Sequence, residues 1–575
     1  MHRTTRKAAL LLALVTIVSQ PAPAQDLVTD TRSYLSKLEK LGFAGVVVIK
    51  RGGETVLAQG SGLADRESGR PWSPATVSDI GSITKQFTAA AILALEEAGK
   101  LHVTDTITAY FPEVPPDKQG ITIHHLLTHT SGVLDLDGAG DWDPIGRDEF
   151  VRKALAQPLG FAPGKGYDYS NAGYSLLGAI IEQVTGQSWE TYVRARLLLP
   201  QGMTETGYVL PNWGPGRLAQ GYRGGTRWGT TLERPMDRDG PYWVLRANGG
   251  VHSTSLDMVR WAEALQAGRV LSAASVEKLW APHADEGGGT HYAYGWVIAD
   301  VGGTRVITHN GGNGIHFANL AIVPSSGTVV FLQTNVIADQ PVGSRLLEQI
   351  GRRMLGGVPY PEVPDLTEVA PAALDEVTGA YQLAGQGSIR ITRAGSELRA
   401  EAQDPHAFMV LHSTRSLDSA RAARLSARTD AFVKALIGGD FEPMRQARGG
   451  DRPPQALAAA HGDWARSAGL GQVTGHRVIG TALQEGRDLT VVRYQFERGT
   501  ADRAYVWDTS ADGRLLGVSG RGLPTSVRLV PTGPGRFGSW DGGVTPSMAF
   551  QFAPTQAGRM QLTFRAADGE AIAVR

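Results

Sequence analysis

The sequence predicts an α+β fold, an α/β sandwich, for its first part, followed by a mostly β C-terminal region. Three observations carry that reading. Strand-like apolar runs stand near both ends of the first part, at 44–50 and 55–58 and again at 294–299, 305–309, 317–323 and 328–334. The residues between, 82–290, are mostly helical and loop-rich, so one antiparallel sheet built from both termini would lie beside a helical region. Finally, Pro359, Pro361 and Pro364 punctuate the stretch 357–371, after which the pattern changes to short strands and turns.

Taken in order, the first 24 residues have the three parts of a secretory signal. His2, Arg3, Arg6 and Lys7 give a basic start, 8–18 is apolar, and Ala22-Pro23-Ala24 offers a small-x-small cleavage site. That apolar run is too short for a comfortable membrane span, so the expectation is an exported protein, periplasmic or secreted after cleavage near Ala24, with no stable membrane anchor. Residues 30–41 read as a short amphipathic helix. Arg51-Gly52-Gly53 turns the first strand into the second. A helix from Ile83 carries apolar residues at Ile83, Phe87, Ala90, Ala91, Ala94 and Leu95, one buried face, and stops at Gly99. A second helix after Asn171 has Leu177, Ile180, Ile181 and Val184 as its buried face and ends at Gly186. Pro324-Ser325-Ser326-Gly327 joins the last two strands, and a helix at 342–355 covers the sheet.

Composition narrows the function classes. The chain has 575 residues, enough for several domains. Lys+Arg and Asp+Glu are equal at 56, which argues against a general attraction to nucleic acid or anionic membrane. With no cysteine there is no disulfide and no thiolate metal site. No metal or organic cofactor is implied.

The chemistry gathers in three short runs. Ser82-Ile83-Thr84-Lys85 sets a hydroxyl and an amine three residues apart on one face of a first helical turn. A serine hydroxyl is a poor nucleophile until a neighbour takes its proton, and that lysine is placed to help. Tyr169-Ser170-Asn171 is extended, so Tyr169 and Asn171 point to the same side. Beside an ammonium the Tyr169 phenolate becomes more accessible, which would let it relay a proton. Asn171 would hold both the lysine and a substrate carbonyl through its amide. His309-Asn310-Gly311-Gly312 closes a strand with glycines that permit close backbone approach. A free N–H there and the N–H of Ser82 would form an oxyanion hole.

The order Ser-x-x-Lys, Tyr-x-Asn, His-x-Gly resembles the serine β-lactamase and penicillin-binding-protein-like superfamily. The resemblance is to its class C-like branch of esterases and D-aminopeptidases, and it covers about residues 28–356. The stretches 125–132, 200–203, 249–257 and Tyr294-Gly295-Trp296 resemble the same branch. The resemblance implies Ser82 as the acylated nucleophile, Lys85 and Tyr169 as proton carriers, Asn171 as the orienting amide and Gly312 as the second oxyanion donor. His309 stands in the third motif, and Asn171, His309 and Gly311 face the substrate. True β-lactamases open that motif with lysine. Here His309 stands instead, mostly neutral above about pH 7.5 at its usual pKa. A fixed charge for a penicillin carboxylate is therefore missing. The expectation is a serine hydrolase of a small-molecule ester or peptide, working through a Ser82 acyl-enzyme and esterase-like. A D-aminopeptidase, DD-peptidase or weak β-lactamase acting on cell-wall-type peptides is the alternative, and a catalytically idle binding or sensor protein is another.

Beyond the linker, 358–371, residues 372–414 and 523–575 resemble a lipocalin-like β domain split by an insertion. The insertion, 415–522, resembles the α+β cone of nuclear-transport-factor relatives, with strands at 471–482, 488–497 and 503–508. Two consecutive small domains are the alternative arrangement. His406, His412, His461 and His476 there lack metal-ligand spacing. On this division the hydrolase domain spans 25–357.

Overall fold

A computed structural model describes residues 24–575 apart from 137, 215, 288, 339–341, 451–453, 468–469, 520–522, 524 and 542–546. The expected signal segment lies, all but Ala24, outside the described residues. The chain divides into two compact units, one ending at Tyr360 and the other running from Pro361 to Arg575.

The first unit is organised on an eight-stranded antiparallel sheet. Its order is Glu54–Ser61, Gly45–Arg51, Thr328–Thr334, Phe317–Val323, Thr304–Gly312, Val297–Val301, Thr290–Tyr292 and Ala284–Gly287. The N-terminal hairpin joins the C-terminal strands through Gly45↔Thr334 and Val47↔Leu332, so both ends of the unit meet in one sheet, between its second and third strands. Residues 46–49 are buried on alternate faces because helices cover both sides. Ala24–Lys40 and Gly343–Gly356 lie on one side, and Ser255–Gln266 lies on the other. Burying each such Val, Ile or Leu contributes about 1.5–3 kcal/mol. The two strands at 284–292 escape the sequence pattern: each is only three or four residues long, too short for an alternation to register.

The serine helix, Thr84–Glu97, runs through the centre of this unit. Every residue from Thr84 to Leu95 is buried, not one face alone. The reason is its small residues: Ala89, Ala90, Ala91 and Ala94 let the helices Asn171–Thr185 and Ala273–Leu279 approach from further sides. Two of its polar residues find partners inside. Thr88 Oγ1 donates to the Ala247 carbonyl at 2.6 Å, and Gln86 Oε1 accepts from the Trp261 indole at 3.1 Å.

The second unit contains a closed antiparallel barrel. Three of its strands, Gly379–Leu383, Ser388–Ala394 and Glu397–Ala402, precede five more between Ser526 and Val574. The pair Gln382↔Val574 closes it. Between the third and fourth barrel strands the chain forms helices and a separate four-stranded sheet of Val473–Gln484, Arg487–Phe496, Gly499–Trp507 and Leu515–Ser519. The helices Pro405–His412 and Pro454–Ser467 and the fourth strand of that sheet are additions to the sequence reading. One face of the sheet (Ala482, Val491, Ala504, Val506) shares a core with the barrel through Phe408. The other face (Tyr494, Tyr505, Trp507) packs beneath the helices Ser419–Ile437 and Pro454–Ser467. Asp488, fully buried, anchors the insertion by accepting from Arg415 and Arg421, each at 2.7 Å.

Candidate active site

Ser82 sits in a 3-10 turn, Gly81–Ile83, immediately before the serine helix. The helix is capped at Ile83 with no side-chain bond, so the Ser82 hydroxyl is not used as a cap. Gly81 holds φ +53, and a Cβ there would collide with the Gly312 amide nitrogen. A Cβ on Gly311 would stand 2.5 Å from the Ser82 nitrogen. The end of the strand Thr304–Gly312 is thus pressed against the serine turn, and the amides of Ser82 and Gly312 come side by side.

Lys85 is fully buried and donates in three directions. Its Nζ lies 2.8 Å from Asn171 Oδ1, 2.8 Å from the Asn248 carbonyl and 3.2 Å from Ser82 Oγ. Burial pulls its pKa down to about 7, against the opposing pull of Asp135 and Asp141. Two of its neighbours are carbonyl oxygens, which only accept. In the neutral amine both N–H groups therefore go to them, and the lone pair is left facing Ser82 Oγ. That is the geometry of a base.

The Tyr169 hydroxyl interacts with the Ser82 side chain, which opposes the rise in its pKa, and its ring centroid lies 4.7 Å from Lys85 Nζ. Burial of the hydroxyl pushes its pKa up, and Asp135 and Glu286 push the same way. The sequence expectation of an accessible phenolate is corrected here: desolvation outweighs the Ser82 side chain's opposing pull, and the hydroxyl holds its proton more tightly than a free tyrosine does. The ring packs at 4.2 Å on His129, whose Nδ1 accepts from the Ser170 amide at 3.1 Å. Asn171 opens its helix behind the Ser170 cap. Its Oδ1 serves Lys85, and its Nδ2 donates to Asp135 Oδ2 at 3.2 Å.

His309 is 5% exposed, and both ring nitrogens are engaged. Nδ1 lies 2.6 Å from the Asn310 carbonyl and Nε2 lies 3.0 Å from the Tyr292 hydroxyl. Since a carbonyl only accepts, Nδ1 carries the proton and Nε2 accepts from Tyr292. Burial, and then Lys85, push its pKa down to about 3. The expectation of a histidine at its usual pKa is corrected: with both ring nitrogens engaged, burial keeps it neutral down to about pH 3.

Several participants have no signature in the sequence reading. Asp79, buried, accepts from the Gly81 amide at 2.6 Å and from Asn313 Nδ2 at 3.1 Å. Asn313 in turn accepts the amides of Ile315 and His316. One carboxylate therefore ties the serine turn to the residue after Gly312. Burial raises its pKa to about 6. Asp135 and the Asn248 carbonyl were likewise unforeseen, and nothing short of the family stretch 249–257 pointed near the latter. The other resembling stretches are scaffold. Gly295 backs onto the Lys85 carbonyl, and Asp257 accepts from the Glu205 amide and from Thr206, both at 2.9 Å. Among the described residues no group of three His, Asp or Glu side chains gathers as a metal site.

The β-lactamase family model matches residues 32–348. Penicillin-binding protein 4 of Amycolatopsis lactamdurans is 31% identical over 365 residues, 56% of this chain and 89% of that protein. Esterase EstB of Burkholderia gladioli is 38% identical over 199 residues, 31% of this chain and 50% of that protein. The octameric penicillin-binding protein homologue from Pyrococcus abyssi matches with a TM-score of 0.54 at 20% identity. That match covers 95% of this chain and 99% of the other, a likeness of fold.

Proposed function

The chain belongs to the β-lactamase family of serine hydrolases, and from that premise we propose that it hydrolyses uncharged esters or amides through an acyl-enzyme on Ser82. The observation that carries this is the Lys85 ammonium's low pKa beside Ser82 Oγ. Neutral Lys85 takes the Ser82 proton as Oγ attacks the substrate carbonyl. The charge that develops on the carbonyl oxygen is met by the amides of Ser82 and Gly312, each such donor worth about 2.7–4 kcal/mol. Tyr169, kept protonated, gives its proton to the leaving group and is resupplied by Lys85. Water then attacks the acyl-enzyme with the same groups acting in reverse. Asn171 holds Lys85 in place, and Gly311, with no Cβ, lets the strand end press against the serine turn.

The preference for an uncharged acyl group rests on Lys85 and His309. Both are neutral above about pH 7, so neither gives a penicillin carboxylate a fixed positive charge. Turnover of p-nitrophenyl acetate tests the reading. Ser82→Ala should lose at least about 10³-fold in kcat/KM. Equal rates for the two proteins would mean an idle fold. Export rests on the three-part N-terminal pattern. Among the described residues no helix is long and apolar enough to cross a membrane. Sequencing the N-terminus of protein recovered from outside the cytoplasm tests that part, with Gln25 expected first.

A further inference from the structure

The second unit holds a buried charged side chain with no counter-ion among the described residues. On the strand Gly499–Trp507, Ala501, Arg503, Tyr505 and Trp507 share one face. That face is otherwise apolar: Tyr505 and Trp507 pack edge-on or tilted against Phe432 at 5.0 and 6.0 Å. Arg503 is 8% exposed among them. Its guanidinium makes one hydrogen bond among the described residues, from Nη1 to His461 Nδ1 at 3.0 Å. Its Nε is buried without a partner. Nδ1 of His461 must be the accepting nitrogen, so that histidine is neutral. Burial and then Arg503 push its pKa down to about 4.

The same unit shows what a settled buried arginine looks like here. Arg421, 6% exposed, has the Asp488 carboxylate at 2.7 Å. Arg493 grips Asp502 with both Nε and Nη2, at 2.8 and 2.9 Å. Among the described residues Arg503 has no carboxylate partner. A buried charge without a counter-ion is strongly unfavourable, and the free fork edge is the part of arginine that matches a carboxylate. Around it stand flat apolar surfaces. The Trp464 ring centroid lies 4.6 Å from the guanidinium carbon, Tyr494 packs at 4.8 Å on Trp464, and Phe441 lies 6.3 Å from His461. His461, Trp464 and Phe441 are only half-buried, so they form a rim and not a sealed core.

We infer that Arg503, with Trp464, Tyr494, Phe441 and His461, forms a binding site for a small monocarboxylate with an apolar or aromatic body. Its place is the face of the four-stranded sheet that packs under the helices, far in sequence from Ser82. The carboxylate accepts from Nε and the adjacent Nη2 as a fork, while the rings take the body. A single guanidinium beside a neutral histidine balances one negative charge, which favours a carboxylate over a phosphate dianion.

Equilibrium dialysis of the full chain against 3-phenylpropionate tests this, with 3-phenylpropanol and inorganic phosphate as comparators. The expected result is one equivalent of the acid bound per chain, at least tenfold tighter than the alcohol or phosphate. Arg503→Met, checked for folding by near-UV circular dichroism, should weaken the acid at least tenfold. It should also melt no lower than the unliganded parent, because an unpaired buried charge has been removed. Should that variant fail to fold, Arg503→Lys keeps the charge and loses the fork, and at least threefold weaker binding supports the site. Absence of binding at 10 mM, as an experimental ceiling of about a hundred times a 0.1 mM Kd, overturns the inference. So does equal affinity in the arginine variants, or phosphate bound as tightly as the acid.

Discussion

Replacing Asp135 by Asn tests the electrostatics of the base. Asp135 and Lys85 are joined through one side chain: Asn171 Nδ2 donates to the carboxylate at 3.2 Å, and Asn171 Oδ1 accepts from Lys85 at 2.8 Å. Across that amide the charges sit about 7 Å apart, and with an effective dielectric of about 20 their attraction is about 2 kcal/mol. At 1.36 kcal/mol per unit that is between about 1 and 2 pKa units. Asp135 favours the ammonium, so removing its charge lowers the Lys85 pKa further below about 7. Activity needs the neutral amine, so the acid limb of kcat/KM moves to lower pH, by about one unit once solvent screening is allowed for. Asp141 still acts on Lys85, and His309 stays neutral, so neither reverses the sign. The Asn variant keeps an oxygen for the Ala172 amide, which Asp135 accepts at 2.8 Å, while its new NH2 faces the Asn171 Nδ2 donor; that lost hydrogen bond lowers kcat and leaves the direction of the limb's shift unchanged. The assay is kcat/KM for p-nitrophenyl acetate between pH 5 and 9. In the wild type the limb should fall near pH 7. An unmoved limb in Asp135→Asn, or one moved upward, would refute Lys85 as the base.

Asp79→Asn presents a donor where Gly81 or Asn313 also donates, and it should lower kcat about 10–100-fold with little change in KM. The exchanged pair, Asp79→Asn with Asn313→Asp, restores donor to acceptor and should recover most of the loss. Gly311→Ala drives a methyl against Ser82 N and should cut kcat/KM by about 10²–10³. Benzylpenicillin should be turned over at least about a hundredfold less efficiently than p-nitrophenyl acetate at pH 8, where both Lys85 and His309 are neutral. Asp488→Ala leaves Arg415 and Arg421 unpaired and should destabilise the second unit by about 3–5 kcal/mol, read from urea unfolding followed by tryptophan fluorescence.

What could be read from the sequence were the features written in consecutive residues. Ser82 and Lys85 are one helical turn apart, Tyr169 and Asn171 alternate on an extended segment, and the glycines after His309 mark a close approach. The structure brings these runs together around Lys85 Nζ. Asp79 escaped because its role depends on Asn313, 234 residues away, meeting it across two chain segments. The Asn248 contribution is a backbone carbonyl, which no residue type announces. Environment was the other blind spot. The protonation of His309 is set by burial, and burial is a property of the packed unit, not of the motif. In the second unit the long strands at 473–507 registered, whereas Pro405–His412 did not. That helix carries apolar residues on every side, Phe408 to Leu411 all being buried, so it has no periodicity to read.

The most direct test is the intact mass of the protein after brief exposure to a fluorophosphonate probe, alongside Ser82→Ala. An activated Ser82 predicts a single adduct on the wild type and none on the variant. A folded wild type that takes up no probe, or a variant labelled to the same extent, would contradict Ser82 as the nucleophile.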